Sequence, residues 1–528
     1  DLRMSRGLGD VYKRQVFCLI FWWIGYTIVT PKRESRPSIK QRRRNTMKKL
    51  QRALSVFVMM LTACLTLPSM AQAAETTKSI GDNLSLLYCI PFAGILLCIA
   101  ICPLVAGEWW EKRKPIVVAF WSLAFLIPFA IAVGMGTAWE ELLEAIIGDY
   151  LTFIVLLFGL FCVAGNISLE GDLVGKPKLN VLLLLISTLL SSWIGTTGAS
   201  MLMIRPMIRA NKWRRRKVQV MVFFIFLVSN IGGCLTPVGD PPLLMGFMNG
   251  VDFFWSLNLL PVMILNVVLL LALFYVIDSR AYKKDLAEGA KQPEVSGEHK
   301  KLRLNGAHNI IFLVMIIVAV ILSGVLPKTV PFFKGSIHFY GEVELGFASI
   351  LEMVMILAAA FLSYKTTTKE VREANHFTWD AIQEVATLFI GIFVTMIPAL
   401  LILKARGASL GVNEPWQYFW MTGLLSSFLD NTPTYLVFFT TAASSGLAGA
   451  SMISTAIGQI PKIFLMAISC GAVFMGANTY IGNAPNFMVR SIAEENDIKM
   501  PSFFGYMGWS ISCLIPVFII DMLVFFIF

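Results

Sequence analysis

The chain has 528 residues, of which 56% are hydrophobic and only 15% charged. That balance excludes an ordinary soluble protein, and many apolar runs reach the ~20 residues that a helix needs to cross a bilayer. The net charge of +11 does not point to nucleic acid, because the basic residues sit in short connections between apolar runs. The nine cysteines lie mostly inside those runs and read as buried thiols. The four histidines all fall outside the broken segments described below, which argues against a histidine-metal enzyme.

The amino end divides in two. Met4 to Gln15 resembles translated sequencing-adaptor sequence, and residues 1–46 are expected to be a non-native extension. From Met47, a basic start, an apolar stretch and Ala71-Gln72-Ala73 make a signal-peptide pattern with cleavage expected before Ala74. An uncleaved first transmembrane helix over 47–73 is the alternative.

Spans are then predicted at about 84–106, 116–134 and 150–167, with an acidic connection from Glu140 to Asp149 before the third. Leu179 to Ile204 is apolar but interrupted at Gly195–Ser200, and it runs into the basic cluster Arg205–Lys217. It reads as a re-entrant hairpin. The next segment, 218–248, is long enough to span but carries Asn230, Thr236, Asp240 and the prolines Pro237, Pro241 and Pro242. Prolines and glycines there cannot continue a helix, and irregular backbone survives at membrane depth only where it is buried in protein or lines a cavity. A broken helix is predicted. A span at 253–277 and a polar stretch, 278–306, read as a solvated cytoplasmic linker, complete the first half, 84–277.

The second half, 307–528, repeats this order. Spans are predicted at 308–326, 345–363 and 381–403. A second interrupted segment, Pro415–Thr441, has Asp430-Asn431-Thr432-Pro433 at its centre. A second broken segment, 461–489, contains Asn478, Thr479 and Asn483, and a final span covers 503–528. Aligned without a gap, Thr236 meets Thr479, Gly239 meets Gly482, Asp240 meets Asn483, Pro242 meets Pro485 and Met245 meets Met488. Connections placed inside carry 24 Lys and Arg and those placed outside carry 5. The positive-inside rule therefore supports two oppositely opening hairpins. The expected fold is an all-α polytopic membrane protein of two inverted repeats. It has about ten full spans, two re-entrant hairpins and two broken helices, the layout of many secondary transporters.

Cation chemistry fits these residues. A dehydrated ion needs several oxygens, and broken-helix carbonyls, Asn and Thr side chains and a carboxylate supply them. Asp430 is the first candidate, beside Asn431 and Thr432; its alternative role is to cap the helix that starts there. Asp240 faces the same choice, because Asp before two prolines also looks like a helix start. Asn230, Thr236, Asn478, Thr479 and Asn483 are further candidates. Thr196 and Thr197 offer hydroxyls, or alternatively close helix packing. Glu352 and Glu384 are candidates for a proton relay, with lysine pairing or snorkelling as the alternative. No nucleotide loop, metal-spaced histidine pair or nucleophile motif is found, so neither enzymatic activity nor a cofactor is expected.

Ser229–Gly233 followed by Thr236–Pro242, a later Asp430–Pro433 and the break Gly482–Asn486 resemble the ion transporter superfamily. That group includes NhaD-type sodium/proton antiporters, citrate and dicarboxylate transporters, and arsenite permeases. Ile90–Leu104 and Thr387–Leu400 make the NhaD-type group the nearest likeness, over about residues 84–528. The resemblance implies a bacterial inner-membrane protein that moves sodium or lithium against protons. Its sodium site would be built from Asn230, Asp240, Asp430 and Asn431. The likeness also brings a homodimer into consideration. The chain departs from the NhaD-type pattern at Gly195-Thr196-Thr197, where that group has an Asp-Asn pair. It departs again at Pro241 and Pro242, which replace threonines. Sodium-coupled citrate or dicarboxylate symport, and arsenite or other anion permeation, are the alternative functions.

Overall fold

The computed structural model describes residues 77–171, 173–292, 303–375 and 377–527. The expected extension and signal-like segment lie outside them, as do residues 293–302 of the expected linker.

The described residues form nineteen α-helices in chain order. The first five are α1 (Thr77–Asn83), α2 (Ile90–Val105), α3 (Gly107–Val133), α4 (Met135–Leu143) and α5 (Leu151–Gly165). The first hairpin follows as α6 (Pro177–Ile194) and α7 (Thr196–Ala210), then α8 (Val218–Leu227), α9 (Pro241–Met248) and α10 (Leu260–Ala287). The second half has α11 (Asn309–Thr329), α12 (Phe347–Thr366), α13 (Lys369–Ala374) and α14 (Asp380–Arg406). The second hairpin is α15 (Pro415–Ser426) and α16 (Asn431–Ser444), and α17 (Lys462–Met475), α18 (Ala484–Glu495) and α19 (Phe503–Asp521) follow. Three short antiparallel ladders lie in connections: β1 (Ser168–Glu170) with β2 (Arg303–Asn305), β3 (Ser336–Tyr340) with β4 (Val343–Gly346), and β5 (Met452–Ser454) with β6 (Gln459–Pro461).

Among the described residues ten helical runs are long and apolar enough to cross a bilayer, and the chain is an all-α polytopic membrane protein. Those ten include the first hairpin arm, Pro177–Ile194, whereas the second broken segment enters as the shorter apolar run Lys462–Asn478. Helix starts and stops differ from the sequence reading in physical detail. The acidic stretch Glu140–Asp149 is helical, a π turn (Glu144–Tyr150) joining α4 to α5 in one run from Met135 to Gly165. The Glu-Trp-Trp-Glu sequence after Gly107 opens α3 rather than preceding it. Only Gly195 breaks the first hairpin, with φ +78°, a conformation that costs an L-residue with a side chain strain. α10 runs on to Ala287, past the predicted end at 277, and strand β2 brings residues 303–305 back onto Ser168–Glu170.

Burial separates centre from periphery. In Gly107–Val133 only 17% of the most apolar 18-residue window is buried, and Phe120, Ile127 and Ile131 face outward, the surface lipid would cover. In Val218–Leu235 the figure is 94%. The broken segment is therefore the core of the molecule. Helices α2 to α5 pack chiefly with α11, α12 and α14, whereas α7 to α10 pack on α16 to α19 as well as on α6 and one another. The two groups meet where α14 lies on α16 and α5 on α7.

The base of the first hairpin is tied to α10 by a buried ionic network. Asp278 accepts two bonds from Arg214 Nη1 (2.7 and 2.9 Å), one from Asn180 (3.0 Å) and one from Gln219 (2.8 Å). Asn180 and Asn211 exchange amide bonds of 2.9 Å across the mouth of the hairpin. Arg214 and Arg216 both reach Asp285, and Arg216 also binds Glu288. Arg214, Asp278 and Asp285 have fully buried side chains, so their charges are compensated by one another rather than by water. Arg216 holds the exposed Glu288 carboxyl below its usual range. That contact is present at neutral pH and is lost as pH falls through the lowered value.

Two outcomes are expected. Arg214→Ala leaves two buried carboxylates without their shared partner and should cost about 3–5 kcal/mol, read as a lowered thermal midpoint in detergent. A Cβ at Gly239 would lie 2.2 Å from the Gly233 carbonyl oxygen, and one at Gly482 would lie 2.4 Å from that of Gly476. Gly239→Ala and Gly482→Ala should each lose about 1–3 kcal/mol by overpacking, whereas Gly107→Ala, which meets nothing within 4 Å, should be near neutral.

Candidate functional site

Each broken segment is held open by the tip of its hairpin, and both halves do it with the same atoms. In the first half Ser192 donates to the Gly232 carbonyl at 2.5 Å and accepts from the Leu235 amide at 3.2 Å. Thr236 donates to the Ser192 carbonyl. In the second half Ser427 donates to the Met475 carbonyl at 3.1 Å, and Thr479 donates to the Ser427 carbonyl at 2.5 Å. The preceding serines act alike: Ser191 reaches the Val228 carbonyl at 2.8 Å and Ser426 the Ala472 carbonyl at 2.7 Å. Thr236 and Thr479 share extended backbone (φ −143°, ψ 157° and φ −137°, ψ 167°). So do Asp240 and Asn483 (φ −144°, ψ 139° and φ −149°, ψ 141°). These hydroxyls satisfy carbonyls that the breaks release, which water would otherwise have to reach.

The two halves then interlock through side chains. Asp240 is 1% exposed. Its Oδ1 accepts from Thr196 of the first tip at 3.0 Å, and its Oδ2 accepts from the Asn431 amide of the second tip at 3.2 Å. Asn431 Oδ1 in turn accepts from Ser426 at 2.6 Å. Asn230 donates to Asn486 at 2.7 Å and to the Ile225 carbonyl at 2.9 Å. Asn483 donates to the Ser229 carbonyl at 3.1 Å and to Asn230 Oδ1 at 3.3 Å. Asn486 closes the second break by donating to the carbonyls of Gly476 (2.8 Å) and Thr479 (2.9 Å). One carboxylate thus touches both hairpin tips, and asparagines cross between the breaks in both directions.

Asp430 sits at the edge of this cluster. It is half-buried and caps α16, accepting from the Thr432 amide at 3.1 Å. The capping role weighed from the sequence is thus met in the geometry. Thr432 Oγ1 is buried without a partner, as is Oδ1 of Asn478, whose amide donates to Ser427 at 2.9 Å. Among the described residues, the ion pairs lie elsewhere, and neither Asp240 nor Asp430 is in one. An uncompensated carboxylate among amide, hydroxyl and carbonyl oxygens suits a cation or a proton.

The other sequence candidates fall into place around this centre. Thr236 and Thr479 bind hairpin carbonyls and brace the breaks. Thr197 follows Thr196 on α7 and takes no part in the Asp240 contact. Glu384 pairs with the buried Lys114 at 2.6 Å, the lysine-pairing alternative. Glu352 is 3% exposed with Oε1 unpartnered, in α12, which packs chiefly on α11 and α5 rather than on the breaks. Sequence reasoning missed Ser191, Ser192, Ser426, Ser427 and Asn486. The signal was present: Leu189-Leu190-Ser191-Ser192 before one tip repeats as Leu424-Leu425-Ser426-Ser427 before the other.

Residues 81–526 match the model of the CitMHS_2 family, described as "Putative citrate transport". No curated protein matches the chain.

The contact between Asp240 and Asn431 joins the two halves at one pair of side chains. A double-mutant cycle with Asp240→Asn and Asn431→Ala, read by thermal melting, should give a coupling of about 0.5–3 kcal/mol, against none for Asp240 with Asn258.

Proposed function

Because the chain belongs to the CitMHS_2 citrate-transport family, we propose that it is a secondary active transporter of a bacterial inner membrane that exchanges sodium or lithium for protons. The observation that carries this reading is the Asp240 carboxylate, buried between both hairpin tips and bonded only to neutral groups. Cation and proton compete for that carboxylate, and such competition is sufficient for exchange. Asp430, Asn431, Asn230 and the carbonyls of the breaks complete the oxygen set around the travelling ion. The helices that hold the breaks, α6 to α10 with α15 to α19, would carry the site past the remaining bundle.

A second reading, sodium-coupled uptake of a citrate-like carboxylate, is favoured by the family description. Its difficulty is electrostatic. An ionised Asp ~6 Å from a substrate carboxylate costs about 3 kcal/mol per charge pair at an effective dielectric near 20. Bound sodium beside Asp240 and Asp430 would remove that objection, so the two readings share a cation site and differ in the second solute.

Everted vesicles that hold a respiration-driven pH gradient separate them. Sodium or lithium should dissipate the gradient with wild-type protein. Asp240→Asn and Asp430→Asn should each weaken the response by about tenfold or more, the equivalent of ~1.4 kcal/mol. Sodium-dependent citrate uptake without any cation-driven proton movement would replace exchange by symport.

A further inference from the structure

A second buried acid lies away from the hairpin tips. Asp521 ends α19 and is fully buried, as is Asn266 in the second turn of α10. The Asn266 amide donates to both carboxyl oxygens of Asp521, at 2.9 and 2.8 Å, and to the Val262 carbonyl at 2.9 Å. Its Oδ1 is buried with no hydrogen-bond partner. Directly after Asp521 the helix changes from α to π winding (Met522–Ile527), an irregularity often found at functional positions.

Among the described residues, the elements that pack most on Asp521's helix offer no counter-charge near it. Elements packed on α19 and its π turn are α8, α10, α15 and the 3-10 turn Gly476–Asn478. Neither α8, α15 nor that turn contains Asp, Glu, Lys, Arg or His, although α15 has Tyr418. On α10, Tyr275 and the charged run from Asp278 begin about 13 Å beyond Asn266 along the axis. On α19 itself, Cys513 is about 12 Å back and Tyr506 further. From α17, Cys470 lies within electrostatic range, and Lys462 is at that helix's far start. Among the described residues Asp521 is in no ion pair.

An amide and a carboxyl can satisfy each other in two protonation states. The carboxylate accepts from Nδ2, as it does here. The acid has an O–H to place, and the vacant Oδ1 of Asn266 is the acceptor it needs after a small rotation of the amide. A bridge that only joins α10 to α19 has no use for that vacancy, and an intramembrane acid without a partner charge is costly to keep for structure alone. We infer that Asp521 takes up and releases a proton within the membrane. Asn266 is its positioning residue, and the pair is separate from the Asp240 cluster. The inference rests on the transport reading for its purpose but not for its chemistry.

The test is pH-difference infrared spectroscopy on the full-length protein in lipid, comparing wild type, Asp521→Asn, Asn266→Leu and Asp240→Asn. A carboxylic-acid carbonyl band should titrate in wild type, persist in Asp240→Asn, vanish in Asp521→Asn and move its midpoint in Asn266→Leu. Asn at 521 keeps an amide contact with Asn266, so folding is preserved, and Asn266→Leu reports independently if it is not. Transport against pH, with whichever of sodium or citrate is moved, should flatten in Asp521→Asn. An unchanged titrating band in Asp521→Asn overturns the inference. If neither solute is moved, the transport proposal fails while the infrared titration still decides whether Asp521 exchanges a proton.

Discussion

A backbone carbonyl freed from a helix at membrane depth must find a donor within the protein, and this requirement shapes the centre of the molecule. The prolines and glycines around Asp240 and Asn483 release several carbonyls in the most buried part of the chain. Serine hydroxyls from the hairpin tips take them up, and threonines from the breaks return the bond to the hairpins. Hairpin and break are therefore one unit in each half: neither has a satisfied backbone without the other. The close approach of Gly239 to Gly233, and of Gly482 to Gly476, is the steric side of the same design.

The halves share this frame but not their charges. The first break carries Asp240 where the second has Asn483, and the second tip carries Asp430-Asn431 where the first has Gly195-Thr196. Each half supplies one acid from a different element, and the frame brings Asp240 against both tips. Asp240 is therefore bonded to both hairpin tips at once. Whatever occupies or protonates Asp240 changes its bonds to Thr196 and Asn431 together. The ionic network at the base of the first hairpin ties α6 and the turn after α7 to α10, and the two packing groups meet where α14 lies on α16 and α5 on α7.

Much of this was legible in the sequence because the strongest signals were physical exclusions. Prolines cannot continue a helix, charges avoid the bilayer, and basic residues stay inside; from these came the polytopic class and the location of both breaks. The repeat of Thr236 and Asp240 in Thr479 and Asn483 foretold matching geometry, and their backbone angles agree closely. The sequence was less informative where a residue's role depends on partners far along the chain. Nothing local marks Asp278 as the hub of a buried network, and its place in a polar stretch suggested solvent. Hairpin serines looked like ordinary small residues until their carbonyl partners were seen. The acidic stretch Glu140–Asp149 read as a connection because charge outweighed helix propensity in that reading, whereas Glu, Leu and Ala there are good helix formers and the chain stays helical.

The account turns on Asp240 as the carboxylate that cation and proton share. Equilibrium binding of radioactive sodium to the purified protein, with released protons counted by a pH indicator, addresses that claim without needing a gradient or a known second solute. The account predicts saturable sodium binding with proton release in wild type and loss of both in Asp240→Asn. Sodium binding of undiminished affinity in Asp240→Asn would contradict it.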